Sequence, residues 1–227
     1  FAFESKILTS KSQSKILKEL KRKKLIYQKE GAIWLRATKL GDKRDQVLIR
    51  RTGEPTYFLS DIVYHLEKFK KNDFVINVWG ADHAEHAERL KRVLSLWDLD
   101  KKVDFILCQF VLLEKEGQRL RMSKRRGEVF FLEDLVKKAG LDAVRFYFLS
   151  KSANFHIVFD IKKAKLKSRE NPLYYLQYTG VRTFSILKRK KFVVGKIQIK
   201  HPKERELAVK LLGWFDLVEE LAKNYQV

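Results

Sequence analysis

The sequence has a single cysteine, no long apolar run and far fewer acidic than basic residues. With Cys108 alone, disulfides and cysteine-based zinc sites are excluded within this chain. No apolar stretch approaches the roughly 20 residues that a membrane-spanning helix needs, and no signal-peptide pattern opens the chain. We therefore expect a cytoplasmic location, with Cys108 as a buried, inert thiol in its apolar surroundings.

The basic excess is large, since 49 Lys and Arg residues stand against 28 Asp and Glu, which gives a formal net charge of +21. Such an imbalance favours a polyanionic partner such as nucleic acid. A charge-rich thermophilic surface is the alternative, because charged residues make up 34% of the chain. At 227 residues and 45% apolar content, the chain is long enough for one large or two ordinary domains.

The first part of the chain predicts a small α+β subdomain. Residues Ser14 to Lys29 place apolar side chains at helical spacing between many lysines, which indicates an amphipathic helix with a basic face. Ala32 to Arg36 and Gln46 to Arg51 predict short strands, separated by a turn at Gly41. We assign residues 1–52 to an insertion or subdomain.

An aromatic-rich segment, Thr56 to His65, follows the turn at Gly53 and contains one carboxylate, Asp61. Burying this charge among apolar neighbours would be costly unless a cation or hydrogen-bond donors met it. Alternatively, Asp61 is the N-cap of a helix that continues through Leu66. The local sequence leaves both interpretations open.

The segment from Asp73 to Phe110 predicts a βαβ unit. Asp73 to Gly80 is a near-continuous apolar run, typical of a strand buried on both faces, and Val103 to Phe110 predicts a second strand after an intervening helix. Such units bind ligands at the carboxyl ends of their strands, here around Gly80 to His86. We predict no metal site there, because His83 and His86 with Asp82 are too few ligands at weak spacing.

Five cations fall within the twelve residues 116–127, which predicts a phosphate-handling loop between Gly117 and Gly127. A plain basic surface loop would explain the charge equally well. Val111 to Leu113 and Gln118 to Arg121 predict a hairpin that delivers this loop.

The remaining sequence is mostly helical in pattern. The predicted helices are 131–139 and 143–149, then 171–187 opened by Pro172, and 204–225 after a basic linker. We expect a helical domain to begin near residue 171.

Four segments in order give the chain a specific resemblance to the class I aminoacyl-tRNA synthetases, most closely the arginyl-tRNA synthetases. Residues 121–125, Arg-Met-Ser-Lys-Arg, resemble the class signature Lys-Met-Ser-Lys-Ser. Residues 75–86 are similar to the strand and turn that receive the ATP ribose, 53–62 to the arginine pocket, and 171–178 to the entry of the helical anticodon-binding domain.

The resemblance implies an α/β fold that is the second half of a class I Rossmann-type nucleotide-binding fold. Residues 1–52 would be part of a small α+β insertion, 53–170 the catalytic half with the signature loop, and 171–227 the start of an all-α anticodon-binding domain. The implied activity joins arginine to tRNA(Arg) through an adenylate made with ATP, and Mg²⁺ is expected with the ATP.

The resemblance also implies roles for the signature loop. Lys124 would neutralise charge on the leaving pyrophosphate, Arg121 and Arg125 would shape the loop, and Met122 and Ser123 would hold it against the nucleotide.

Further implied contacts lie upstream of that loop. Gly80 would allow close approach of the ribose, and Asp82 would accept hydrogen bonds from its hydroxyls. Tyr57 and Asp61 match positions that meet the arginine substrate, where a carboxylate can take the planar donors of a guanidinium. His83 is a further candidate for the same pocket, whereas His86 is interpreted as structural.

The chain departs from the family in one important respect, because the other class signature, His-Ile-Gly-His, is absent. In the family this motif lies in the first half of the nucleotide-binding fold. We therefore expect a piece of a longer or split protein that needs the N-terminal half of the catalytic domain, in the same chain or a partner, and is not active alone. The alternatives are a class I lysyl-tRNA synthetase and a non-catalytic, RNA-binding relative.

Overall fold

The computed structural model describes residues 3–115, 118–119, 131–189, 195 and 198–226. The chain divides into two compact units, Phe1–Cys108 and Gln109–Val227. The sequence did not predict a division at this point, and the predicted domains 1–52, 53–170 and 171–227 stay predictions.

The first unit combines helices with two small sheets. Its helices and strands, in chain order, are α1 (Glu4–Ile7), α2 (Ser10–Arg22), β1 (Ile26–Lys29), β2 (Ala32–Leu35), β3 (Gln46–Ile49), α3 (Tyr57–Phe69), β4 (Val75–Gly80), α4 (Ala84–Leu94) and β5 (Val103–Cys108).

Helix α2 is shorter than the predicted helix Ser14 to Lys29 and starts earlier. The side chain of Thr9 caps it by accepting a hydrogen bond from the backbone N–H of Ser12 at 3.2 Å. Lys24 adopts a left-handed φ of 58°, which ends the helical path, and the chain continues as β1. Residues 26–29 are therefore strand rather than helix, because pairing with β2 takes up their backbone groups.

Strands β1, β2 and β3 form an antiparallel sheet in that order. Glu30 and Gly31 form the turn between β1 and β2 with φ values of 52° and 75°, and glycine tolerates such a φ without steric cost. The predicted strands at 32–36 and 46–51 are confirmed within one or two residues at each end.

Strands β4 and β5 pair in parallel, with Val75 opposite Val103 and Gly80 opposite Cys108. Helix α4 lies between them in sequence, so the predicted βαβ order is confirmed. The predicted burial of β4 on both faces is wrong for this chain, because Ile76 and Val78 are exposed while the alternate side chains are buried.

One apolar cluster joins α2, α3 and α4 to both sheets of this unit. Its fully enclosed side chains come from every layer and include Leu20, Leu35, Leu48, Leu59, Ile62, Leu90, Leu94 and Val103. Burying a leucine or isoleucine of this kind contributes about 2 kcal/mol each, so this cluster holds α3 and β4 in place.

The second unit contains a three-stranded sheet and further helices. Its helices and strands are β6 (Val111–Lys115), β7 (Gln118–Arg119), α5 (Leu132–Ala139), α6 (Leu141–Leu149), β8 (Ile157–Asp160), α7 (Ile161–Lys165), α8 (Pro172–Arg189), α9 (Pro202–Leu212) and α10 (Trp214–Lys223).

Strand β6 pairs antiparallel with β7, as the hairpin prediction requires, and parallel with β8. Strand β8 was not predicted from the sequence. Asn171 is buried at the start of α8, where its side-chain N–H₂ donates to the carbonyls of Ala164 and Leu166. This amide fixes the beginning of α8 against the preceding helix.

The C-terminal pattern forms two helices instead of the single predicted helix 204–225. The interruption falls at Gly213, where the missing side chain weakens a continuous helix. Val181, Phe184, Leu211 and Phe215 on α8, α9 and α10 are exposed. Within the residues that the structure covers, no helix is both long and apolar enough to cross a membrane.

A nearly enclosed ion pair ties α4 to the loop before β3. Arg89 Nε donates to Asp42 Oδ2 at 2.7 Å, and the backbone N–H of Lys43 donates to Asp42 Oδ1 at 2.7 Å. Burial opposes ionisation of Asp42, but these hydrogen bonds outweigh it, so the pKa of its carboxyl is lowered.

We expect Asp42→Asn to reduce the free energy of unfolding by about 2 kcal/mol at pH 7, because it leaves Arg89 without its charged partner. A lowered folded-state pKa means that this stabilisation is present above the unfolded value of about 3.9 and is lost as the pH falls through the folded value. Urea unfolding at a series of pH values measures both effects. The control is Asp73→Asn, which changes an exposed carboxylate. An equal loss of unfolding free energy in both variants would contradict the prediction.

Candidate functional site

A cleft of about 900 Å³ opens in the first unit between α3 and the carboxyl end of β4. Of the residues predicted to bind ligands, Tyr57, Asp61, Gly80 and His83 line it. The other lining residues come from α1 and the segment after it, from α3, and from β4 and α4: Ile7, Leu8, Ser60, Tyr64, Val78, Trp79 and His86.

Helix α3 presents a polar and aromatic face to the cleft because its apolar residues are taken up by the core. Tyr57, Asp61 and Tyr64 are spaced by four and three residues and so share one face. The helix begins after Thr56, whose side chain accepts from the N–H of Leu59. Asp61 is therefore inside the helix, and its alternative interpretation as an N-cap is wrong.

The carboxylate of Asp61 has a specific partner. His86 Nε2 on α4 lies 2.7 Å from Asp61 Oδ2, and the side chains are 23% and 33% exposed respectively. Among the described residues, no other side chain donates a hydrogen bond to this carboxylate. Its second oxygen is therefore available to a ligand in the cleft.

Tyr57 and Trp79 give the cleft aromatic walls of different kinds. Tyr57 is 81% exposed at the first turn of α3, so its ring is free to contact a ligand. Trp79, at the end of β4, packs against His65, Phe105 and His86 with ring centroids 4.9 to 6.3 Å apart. The Tyr57 ring is thus accessible to a ligand, whereas the Trp79 ring is held by packing.

Gly80 and Asp82 form a close backbone turn at the carboxyl end of β4. A Cβ atom at Gly80 would lie 2.5 Å from Asp82 Oδ1, so the carboxylate occupies the space that a side chain would need. Asp82 is 60% exposed, and its Oδ2 lies 3.8 Å from His83 Nε2. The turn places an accessible carboxylate beside the glycine that lines the cleft, which suits a hydroxyl-rich ligand.

A buried polar network lies behind the cleft and links α3 to β4. His65 Nδ1 lies 2.8 Å from the carbonyl oxygen of Asp61, and His65 Nε2 lies 3.0 Å from Asn77 Oδ1. Lys68 Nζ donates to the same Asn77 oxygen at 2.9 Å and lies 4.3 Å from the ring centre of Tyr64. These contacts fix the distance between the two walls.

Burial changes the pKa of two groups in this network. Burial lowers the pKa of His65, and the neighbouring Lys68 lowers it further. Burial also lowers the pKa of Lys68, which Asp61 opposes.

The signature loop predicted to handle phosphate, with Arg121, Met122, Ser123, Lys124 and Arg125, lies outside the described residues. In the part of the chain that the structure describes, no group of three or more His, Cys, Asp or Glu side chains could hold a metal ion. Tyr64, Trp79 and His86 are cleft residues that the sequence analysis missed as ligand contacts. Two features of the sequence could have identified the aromatic ones: the helical spacing of Tyr64 from Tyr57, and the position of Trp79 next to Gly80.

The chain matches no protein-family model. It is 40% identical over 232 residues to an arginine-tRNA ligase of Mesomycoplasma hyopneumoniae, a match that covers 100% of this chain and 43% of that protein. A solved structure from Campylobacter jejuni, described provisionally as an arginyl-tRNA synthetase, is 36% identical, with a TM-score of 0.72 over 79% of this chain and 40% of that one. Thermus thermophilus arginyl-tRNA synthetase has the same fold, with a TM-score of 0.76 at 21% identity over 96% of this chain and 47% of that chain.

These comparisons indicate the class of protein, because the chain is similar over its whole length to part of an aminoacyl-tRNA ligase. Within that class it is homologous to a part of the arginyl-tRNA synthetases, with the mixed helix and sheet fold of that part. The chain spans about two fifths (43%) of the length of the first of these relatives.

We expect His65→Gln to remove part of the acid sensitivity of the fold. Since the folded-state pKa of His65 is lowered, its contribution to stability is present above the unfolded value of about 6.5 and declines as the pH falls below it. The measurement is the free energy of unfolding at pH 7.5 and pH 5.5, with exposed His156→Gln as the control. If the free energy of unfolding of the His65 variant falls between pH 7.5 and pH 5.5 by as much as that of the unmodified protein, this account is contradicted.

Proposed function

We propose that the protein carrying this sequence is an arginine-tRNA ligase, which activates arginine with ATP and transfers it to the 3′ end of tRNA(Arg). The observation that carries the proposal is the Asp61 carboxylate, which lies in an aromatic cleft and has one oxygen that no side chain of the described residues hydrogen-bonds. Its supporting context is the homology to arginine-tRNA ligases over the whole chain. Because the match spans 43% of that relative, the activity is proposed for the full protein.

We further propose that the two strands β4 and β5 belong to the second half of a class I Rossmann-type fold. The parallel pairing and the intervening α4 support this. In the same proposal, residues 1–52 are part of an inserted subdomain, supported by the separate antiparallel sheet, and residues 171–227 begin a helical anticodon-binding domain, supported by α8, α9 and α10.

In this proposal Asp61 binds the guanidinium of the substrate arginine. A carboxylate accepts two parallel N–H donors from a guanidinium, a charge-assisted geometry that a neutral side chain cannot reproduce. Tyr57 contributes its exposed ring and hydroxyl, and His83 borders the same cleft.

Gly80 and Asp82 are proposed to receive the ribose of ATP. The missing side chain at Gly80 leaves room for the Asp82 carboxylate, which can accept hydrogen bonds from ribose hydroxyls. The position at the carboxyl end of a parallel strand is the usual place for such a ligand.

The loop residues Lys124, Arg121 and Arg125 are proposed to neutralise charge on the departing pyrophosphate, with Met122 and Ser123 against the nucleotide. Cations positioned where charge develops lower the barrier without covalent chemistry. Mg²⁺ is expected to accompany ATP on its phosphates, where a bound metal ion would share the phosphate charge.

The net charge of +21 supports tRNA as a partner, because Lys and Arg side chains that contact phosphates displace counterions and strengthen binding. The basic residues on α2 and α7 are candidates for such contacts. A cytoplasmic location follows as part of the same proposal.

We expect Asp61→Asn to raise the KM for arginine by about tenfold to hundredfold, because the guanidinium loses its anionic partner. The assay is charging of tRNA with radiolabelled arginine by the full-length protein, with labelled lysine in parallel. Glu67→Gln is the matched control on α3, since this carboxylate bonds to Lys70 away from the cleft.

Charging with lysine and not arginine by the unmodified protein would refute the proposed function. An unchanged arginine KM in the Asp61 variant would refute only the role of this carboxylate.

Gly80→Ala is expected to raise the KM for ATP by about tenfold while leaving the melting temperature nearly unchanged. The backbone at Gly80 has φ −67° and ψ 149°, which alanine adopts freely, and the exposed Asp82 side chain can rotate away from the new Cβ. Nucleotide binding is weakened because the carboxylate is displaced from the ribose position. Gly180→Ala on α8, where a Cβ meets nothing within 4 Å, is the control, and an unaltered ATP KM for Gly80→Ala would exclude the ribose role.

A further inference from the structure

Among the described residues, His86 is the one whose side chain forms a hydrogen bond with the Asp61 carboxylate, which is proposed to bind arginine. Its Nε2 lies 2.7 Å from Asp61 Oδ2, and because a carboxylate only accepts, Nε2 must carry the proton. The contact connects α4 to α3 across 25 positions of sequence. From the sequence alone, His86 was expected to be structural and to have no part in recognition.

Packing fixes the orientation of the His86 ring. The ring lies 5.5 Å from that of Trp79 at an interplanar angle of 32°, and 5.7 Å from that of Phe58 at 70°. Helix α4 is itself anchored through Arg89, whose Nε donates to Asp42 at 2.7 Å. The packing therefore fixes the direction of the His86 N–H, which points toward Asp61.

This bond restricts the Asp61 side chain without using up its acceptors. A carboxylate offers about four lone-pair positions, and His86 occupies one of them on Oδ2. The Asp61 backbone is held as well, since its carbonyl oxygen lies 2.8 Å from His65 Nδ1. The remaining positions, including all of Oδ1, can accept the two N–H groups of a guanidinium.

We propose that His86 is a positioning residue for substrate recognition: it holds the Asp61 carboxylate in the orientation that accepts arginine. The inference rests on the proposed function and deepens it. A carboxylate that is already oriented loses less side-chain entropy when the guanidinium binds, so the bond from His86 strengthens arginine binding without touching arginine.

Two substitutions separate the N–H donor from the packing of the ring. His86→Phe keeps an aromatic ring against Trp79 and Phe58 but has no donor, whereas His86→Gln loses the ring and keeps an N–H at similar reach. For the full-length protein in the tRNA-charging assay, we expect His86→Phe to raise the arginine KM about tenfold with the ATP KM unchanged. His86→Gln should stay within about threefold of the unmodified protein for both substrates.

A purely structural role for His86 makes the opposite prediction, because the variant that loses the ring would then be the more impaired. The inference is overturned if His86→Gln is as defective as His86→Phe, or if His86→Phe has a normal arginine KM. If His86→Phe does not fold, as judged by circular dichroism, the comparison is repeated with His86→Gln and His86→Met. These side chains have similar length, and only Gln has the donor.

A double-mutant cycle tests whether the effect passes through Asp61. In an Asp61→Asn background, His86→Phe should have less than about a twofold further effect on the arginine KM, because there is no charged carboxylate left to orient. A full additional tenfold effect would overturn the inference. If the unmodified protein charges no arginine, the proposed function fails instead, and this outcome is distinct from a normal His86→Phe variant.

Discussion

A half-buried carboxylate on a mostly apolar helix is the constraint on which the candidate site depends. Removing a charge from water costs free energy unless hydrogen bonds or opposite charge compensate it. For Asp61 the compensation comes from α4 through His86, so α3 and α4 must pack in one relative position for the site to exist. The apolar cluster around Leu59, Ile62 and Leu90 provides that packing.

Helix α4 is fixed by polar contacts at two successive turns. Arg89 binds Asp42 in the loop before β3, and His86, one turn earlier, binds Asp61 on α3. Because residues three apart lie on neighbouring parts of one helical face, the same face of α4 serves both stability and the candidate site. The buried contacts of His65 with Asn77 do the corresponding work for β4, which carries Trp79 and Gly80 to the cleft.

Local pattern predicted much of this arrangement. The alternation of strand, helix and strand between Asp73 and Phe110 was sufficient for the βαβ order, and Pro172 marked the first turn of α8 correctly. The boundary at Lys24 and the partner of Asp61 were not predictable in this way. The first depends on a left-handed residue and on pairing with β2, and the second depends on a contact between residues 25 positions apart. Neither leaves a periodic signal, because tertiary contacts decide both.

The proposed arginine substrate is cationic and the chain has a net charge of +21, which raises the question of why repulsion would not exclude it. Screening limits the influence of distant lysines, since the Debye length is about 8 Å at physiological ionic strength. The cation to consider is Lys68, which shares the polar side of α3 with Asp61 and interacts with its charge. Its ammonium already donates to Asn77 and lies over the ring of Tyr64, so these groups also compensate its charge. The surface charge can thus favour polyanions while the cleft keeps an anionic group for a cation.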